Sequence, residues 1–83
     1  MDTDLKCGVY RHFKGEYVLV LGLARHSETE EKFVVYVPLK PLEGPRITIR
    51  PIAMFLENVE HEGKKVKRFK YIGTELSTKD LLI

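Results

Sequence analysis

The segment Tyr17 to Arg25 is nearly continuous in Val and Leu, and Phe33 to Leu39 repeats that character with Tyr36 in its middle. Both runs are rich in β-branched residues and bounded by polar or turn-forming segments, which makes them strands rather than helices. Gly22 inside the first run marks a bulge or a sharp bend, of the kind a strand needs to wrap around a small barrel. The wholly polar stretch His26 to Lys32 joins the two runs into a hairpin, and Glu28, Glu30 and Glu31 make its tip acidic.

Shorter signals surround this hairpin. Val9 to Phe13 alternates apolar and polar residues before a Lys14-Gly15 turn, and reads as a strand. Pro38, Pro41 and Pro45 around Gly44 mark a loop over about Lys40 to Pro45, with Pro38 at a strand end or edge because it has no amide hydrogen to donate. Arg46 to Arg50 alternates strictly, which directs Ile47 and Ile49 to the core and Arg46, Thr48 and Arg50 away from it. After Pro51, the segment Ile52 to Val59 carries Met54, Phe55 and Val59 at roughly helical spacing, predicting one or two turns that plug the end of a barrel. Glu62-Gly63-Lys64 is a turn, and Val66 to Ile72 is a last strand. The sum is a mainly β fold, a small SH3-like β-barrel of about five strands with a short helical turn before the last strand. An OB-like barrel is the runner-up, disfavoured because a Pro-rich loop stands where its helix belongs. Residues 1–7 read as a flexible N-terminus, 8–73 as the single domain and 74–83 as a C-terminal tail.

A chain of 83 residues with 43% apolar residues builds one modest core, so either a monomer or a homodimer fits. Fourteen basic against twelve acidic side chains leave a net charge of +2, far from a histone-like excess. The charge is polarised instead, with Lys64, Lys65, Lys67, Arg68 and Lys70 crowding one segment. Cys7 is the only cysteine, which excludes an intramolecular disulfide and makes a cytoplasmic location the expectation. Val18 to Leu23 is too short to span a bilayer, and no secretion signal precedes it, so no membrane partner is expected.

Gly8-x-Tyr10-Arg11-His12-Phe13-Lys14-Gly15, then Tyr17, then Ala24-Arg25-His26-Ser27-Glu28-Thr29 resemble a small bacterial family, domain-of-unknown-function family 1653. Val34-Val35-Tyr36, Arg50-Pro51, Met54-Phe55 and Arg68-Phe69 follow in the family's order, so the resemblance runs from Gly8 to Phe69. It implies a short bacterial cytoplasmic domain and supplies no activity, substrate or catalytic residue. One departure is Ile49, where the family pattern has an aromatic residue ahead of the Arg-Pro pair.

Two constellations carry candidate chemistry. Tyr10, Arg11, His12 and Lys14 gather a planar guanidinium, a mobile ammonium, an imidazole and an aromatic face, which together suit phosphate and base recognition. The competing explanation is a half-buried strand with a solvated polar face. Arg25, His26 and Glu28 at the hairpin mouth either hold a tight loop together, with Ser27 and Thr29 bonding local backbone and Glu28 pairing with Arg25, or line a pocket with Arg50. Tyr36 and Arg68 complete the set of candidate ligand-binding residues. In Lys64 to Tyr71, strand alternation separates Lys67, Phe69 and Tyr71 from Arg68 and Lys70, so the cations do not share one groove; guarding an edge against aggregation is the favoured role for them over nucleic-acid binding.

The leading expectation is a non-catalytic binding module for an anionic ligand, either nucleic acid or a nucleotide-like small molecule. A protein-protein interaction module or homodimerising domain is the alternative, and a small enzyme using His26 and Glu28 is the third reading. No nucleophile elbow, phosphate loop or paired-carboxylate motif accompanies those side chains. No cofactor is expected, and Cys7, His12 and His26 lack a metal-ligand spacing. The discriminator is geometric: ligand binding needs the cations to converge on a concavity, whereas a protein interface needs a flat apolar patch ringed by charge.

Overall fold

The computed structural model describes residues 5–74. Its elements in chain order are β1 (Gly8–His12), β2 (Tyr17–Arg25), β3 (Lys32–Pro38), β4 (Thr48–Pro51), helix α1 (Ile52–Leu56), β5 (Asn58–His61), β6 (Lys64–Lys67) and β7 (Phe69–Gly73). The fold is mainly β, and these seven strands form two sheets, where about five strands were expected. The larger sheet is antiparallel throughout, in the order β4-β3-β2-β1-β7, and β5 and β6 pair separately as a hairpin.

The β2–β3 hairpin is the spine. Its register runs from Val18 opposite Pro38 to Arg25 opposite Lys32, and it slips between Val20 and Gly22, where Leu21 is the extra residue of a bulge. Gly22 adopts φ +154, which explains the glycine at the bend. Pro38 ends β3, where its missing donor costs no ladder bond. At the other margin Gly8 adopts φ +133, and a Cβ there would lie 2.6 Å from the Gly73 carbonyl oxygen, so only glycine lets β1 and β7 approach this closely.

Residues that face one another across the strands share a side of the sheet. On the inner side Tyr10, Val18, Val20, Val34, Tyr36 and Phe69 are buried, and Phe55 of α1 closes over them at 1% exposure. Phe55 stacks on Phe69 with ring centroids 4.2 Å apart and planes 6° from parallel, and meets Tyr10 edge-on at 5.3 Å. The expected plug is therefore this one ring, since Met54 and Leu56 stay 42% and 45% exposed.

The β4 facing is the reverse of the expectation. Ile47 and Ile49 are 68% and 57% exposed, whereas Thr48 and Arg50 stand opposite the buried Tyr36 and Val34. Alternation shows that two isoleucines share a side but not which side. Arg50 is suited to the inner one because its charge finds partners there: Nε donates to Tyr36 Oη at 3.2 Å, and the guanidinium lies 5.6 Å from the Phe69 ring centre. Arg50 and Phe69 thus meet across the inner face although β4 and β7 are the sheet's opposite edges.

The helix also differs from the expectation. It stops at Leu56 because Glu57 turns extended, at φ −73 and ψ 156, which frees Val59 to pair with Val66 in the β5–β6 hairpin. Three strands follow the helix rather than one. The expected last strand, Val66 to Ile72, is broken at Arg68 into β6 and β7, which pair with different partners. No helix among the described residues is long and apolar enough to cross a membrane.

Candidate functional site

The β5–β6 hairpin turns on Glu62 and Gly63, both at positive φ (54° and 80°), the two-residue geometry whose twist matches that of paired strands. Its base is tied to the main sheet by a relay of backbone bonds. Phe13 N–H donates to the Arg68 carbonyl at 2.9 Å, and Arg68 N–H donates to the Glu57 carbonyl at 3.0 Å. The Arg68 guanidinium closes an ion pair on the Glu57 carboxylate. The Phe13 ring then meets His61 of β5 edge-on at 5.3 Å.

Between the hairpin and the β1–β7 margin this leaves a half-open cleft of about 600 Å³. Arg11, Lys67 and Lys70 bring three permanent cations to its wall, and none of the described residues that line it is acidic. Phe13 and Tyr71 supply aromatic surface, Val66 apolar floor, and His12 and His61 two imidazoles. Lys67 and Lys70 converge here although strand alternation separates them, because the chain breaks its pairing at Arg68 and re-enters the main sheet as β7. Arg11 and Lys70 are direct cross-strand neighbours. That arrangement places like charges side by side and is relieved by an anion between them.

His12 is held in one tautomer when neutral. Its Nδ1 accepts the Lys14 backbone N–H at 3.1 Å, which leaves the proton on Nε2 of the neutral ring. Its ring packs 4.9 Å from Phe69 edge-on and 4.5 Å from Phe13. Burial pushes its pKa below 6.5, with Arg50, Arg68 and Lys14 pushing the same way and Glu16 opposing. His12 therefore presents a hydrogen-bond donor at neutral pH without adding charge to the cleft.

The candidate residues divide into separate places. Arg11 and His12 line the cleft, and Lys14 caps the His12 ring from the adjoining turn. Tyr10 is a core residue whose Oη donates to the Lys6 carbonyl at 2.7 Å; burial raises its pKa, so its hydroxyl keeps its proton. Tyr36, Arg50 and Arg68 serve the inner face and the relay described above. Arg25, His26 and Glu28 sit on the exposed tip of the β2–β3 hairpin and do not join Arg50 in a pocket. There His26 Nδ1 accepts the backbone N–H groups of Glu28 and Thr29 at 3.1 and 3.2 Å, and Thr29 Oγ1 accepts that of Glu31 at 3.2 Å. His26 thus does the loop-holding expected of Ser27, and its Nδ1 is unavailable as a catalytic base. Lys67, Lys70, Tyr71 and His61 were absent from the candidate set, although the basic run signalled the first three; nothing local marks His61.

The family model described as protein of unknown function (DUF1653) matches residues 8–71. A crystal structure of a DUF1653 protein from Bordetella bronchiseptica is similar to this chain at a TM-score of 0.82 and 39% sequence identity, covering 89% of this chain and 94% of its own. No curated protein matches. The two-sheet fold and the sequence agree in one assignment: this chain belongs to the DUF1653 family.

Proposed function

We propose that this domain is a non-catalytic binding module whose cleft between the β5–β6 hairpin and the β1–β7 margin takes an anionic, base-bearing ligand, nucleic acid or a nucleotide-like small molecule. The observation that carries the reading is the convergence of Arg11, Lys67 and Lys70 around Phe13 and Tyr71 in one cleft with no acidic residue among the described residues that line it. Cations neutralise phosphate while the aromatic faces stack bases, the pairing used to hold single strands without reading their sequence. His12, neutral and with Nε2 protonated, adds a donor for a base edge or a phosphate oxygen. The lone cysteine suits a cytoplasmic setting for such a module. The meeting of Arg50 with Phe69 across the sheet suits an SH3-like curvature that shapes the cleft's inner wall.

The test is a salt series of binding to labelled single-stranded RNA and DNA, with a nucleoside monophosphate as competitor. Three phosphate contacts give a slope of log affinity against log salt of about −2, and each of Arg11→Ala, Lys67→Ala and Lys70→Ala reduces it by about 0.7. Absence of binding at low salt to both the oligonucleotides and the monophosphate would sink the reading, as would variants that bind like the parent.

A further inference from the structure

A second, smaller hollow of about 230 Å³ adjoins the cleft. Lys67 and Tyr71 line both, so the two meet at these side chains. Leu5 and Leu56 give the smaller hollow apolar walls, the buried Tyr10 and Phe69 close its base, and Lys6 adds a cation. None of the described residues that line it is acidic. Lys6 is fixed there through its backbone, because its carbonyl accepts the Tyr10 hydroxyl at 2.7 Å, and its ammonium stands 5.1 Å from the centre of the Tyr71 ring. Leu56, at the end of α1, is 45% exposed, an apolar side chain left out of the core cluster.

Size separates the roles of the two hollows. Pockets that enclose a whole small ligand run from about 300 to 1,000 Å³. The cleft, at about 600 Å³, lies inside that range, and the adjoining hollow lies below it. The smaller hollow therefore takes part of a ligand whose remainder occupies the cleft. Its chemistry repeats that of the cleft, with cations beside aromatic and apolar surface. A ligand that repeats an anion and a flat apolar ring unit by unit is a nucleic-acid strand.

We infer that the two hollows are successive subsites for a single strand, one nucleotide in the cleft and the base of the next among Leu5, Leu56 and Tyr71, with Lys67 and Lys6 serving the phosphate that links them. The inference rests on the anion-binding reading of the cleft and narrows its ligand to a strand of at least two nucleotides. A mononucleotide fills the first subsite and leaves Lys6 and Leu56 unused. A duplex keeps its bases inside the stack and delivers none to the hollow without unpairing.

Chemical-shift titration of the full chain with adenosine 5′-monophosphate and with the 5′-phosphorylated adenylate dimer tests this, each in ribose and deoxyribose form so that the preferred sugar is read in the same experiment. The dimer is expected to bind about tenfold more tightly than the monophosphate, within what one more stacked base contributes. Lys6→Ala, which keeps the backbone bond to Tyr10, lowers that ratio to about threefold or less by removing a phosphate contact. Arg11→Ala weakens both ligands, whereas Lys65→Ala, an equal change of charge on an exposed residue that lines neither hollow, preserves the ratio. A dimer that binds the parent no more tightly than the monophosphate overturns the second subsite and leaves the cleft reading standing, as does a ratio that Lys6→Ala does not change. Failure of both ligands to bind overturns the two together.

Discussion

Replacing Phe55 by alanine removes the ring that joins α1 to the sheet. At 1% exposure the ring is almost wholly withdrawn from water. An aromatic side chain buries about 150–250 Å², which at about 25 cal/mol per Å² amounts to roughly 4–6 kcal/mol. The measured range for such truncations in packed cores is about 3–5 kcal/mol, and stability of about 4–12 kcal/mol is ordinary for a domain this long. Phe55→Ala therefore removes about a quarter of the stability or more. Urea unfolding followed by circular dichroism reads it as a lowered midpoint at an unchanged slope. The stacked geometry adds a sharper expectation: a double-mutant cycle with Phe69→Leu gives a coupling of about 0.5–1.5 kcal/mol. A loss under about 1 kcal/mol for Phe55→Ala would refute the argument that this ring closes the core, and zero coupling would refute the stack.

Two further outcomes follow from local geometry. His12 is half-buried, and the loss of solvent holds its folded pKa below the 6.5 of the unfolded chain; its contribution to stability is complete above pH 6.5 and is lost as the pH falls through the depressed folded pKa. His12→Gln flattens the stability profile over that window, and a profile identical to the parent's would show that His12 does not titrate as described. Glu62 occupies the first of two positive-φ turn positions at φ 54°, a conformation that asparagine tolerates better. Glu62→Asn is expected to raise stability by about 0.5–1 kcal/mol in urea unfolding, and a loss would argue against the two-residue turn.

Much of the fold was legible because its signals are local. The Val and Leu runs, the Gly22 bulge, Pro38 at a strand end and the Glu62-Gly63 turn each follow from backbone preference, and each stands where those preferences put it. The facing of β4 was not local. Ile47 and Ile49 look like core residues until Arg50 is seen to have a phenol and a ring to receive its charge. Those partners, Tyr36 and Phe69, lie on two other strands. The count of strands failed for a related reason: Val66 to Ile72 is an unbroken strand pattern, and only the Arg68 to Glu57 ion pair and backbone bond reveal a corner.

That corner also decides what the cations do. In a continuous strand Lys67 and Lys70 would point to opposite sides, and the basic run would be a solvated edge. With pairing switched at Arg68, the hairpin carries Lys67 back over β1, and Lys70 enters β7 beside Arg11. Breaking the Arg68–Glu57 pair by Glu57→Gln should therefore weaken anion binding without touching a cleft residue, because the hairpin loses the contact that angles it. The cleft is thus a product of chain path rather than of any motif, and the tight grouping of Tyr10, Arg11, His12 and Lys14 in the sequence was informative for a different reason. Alternation sends Tyr10 into the core and leaves Arg11 outside it, and Arg11 and His12, at the end of β1 where the chain meets the hairpin, both line the cleft.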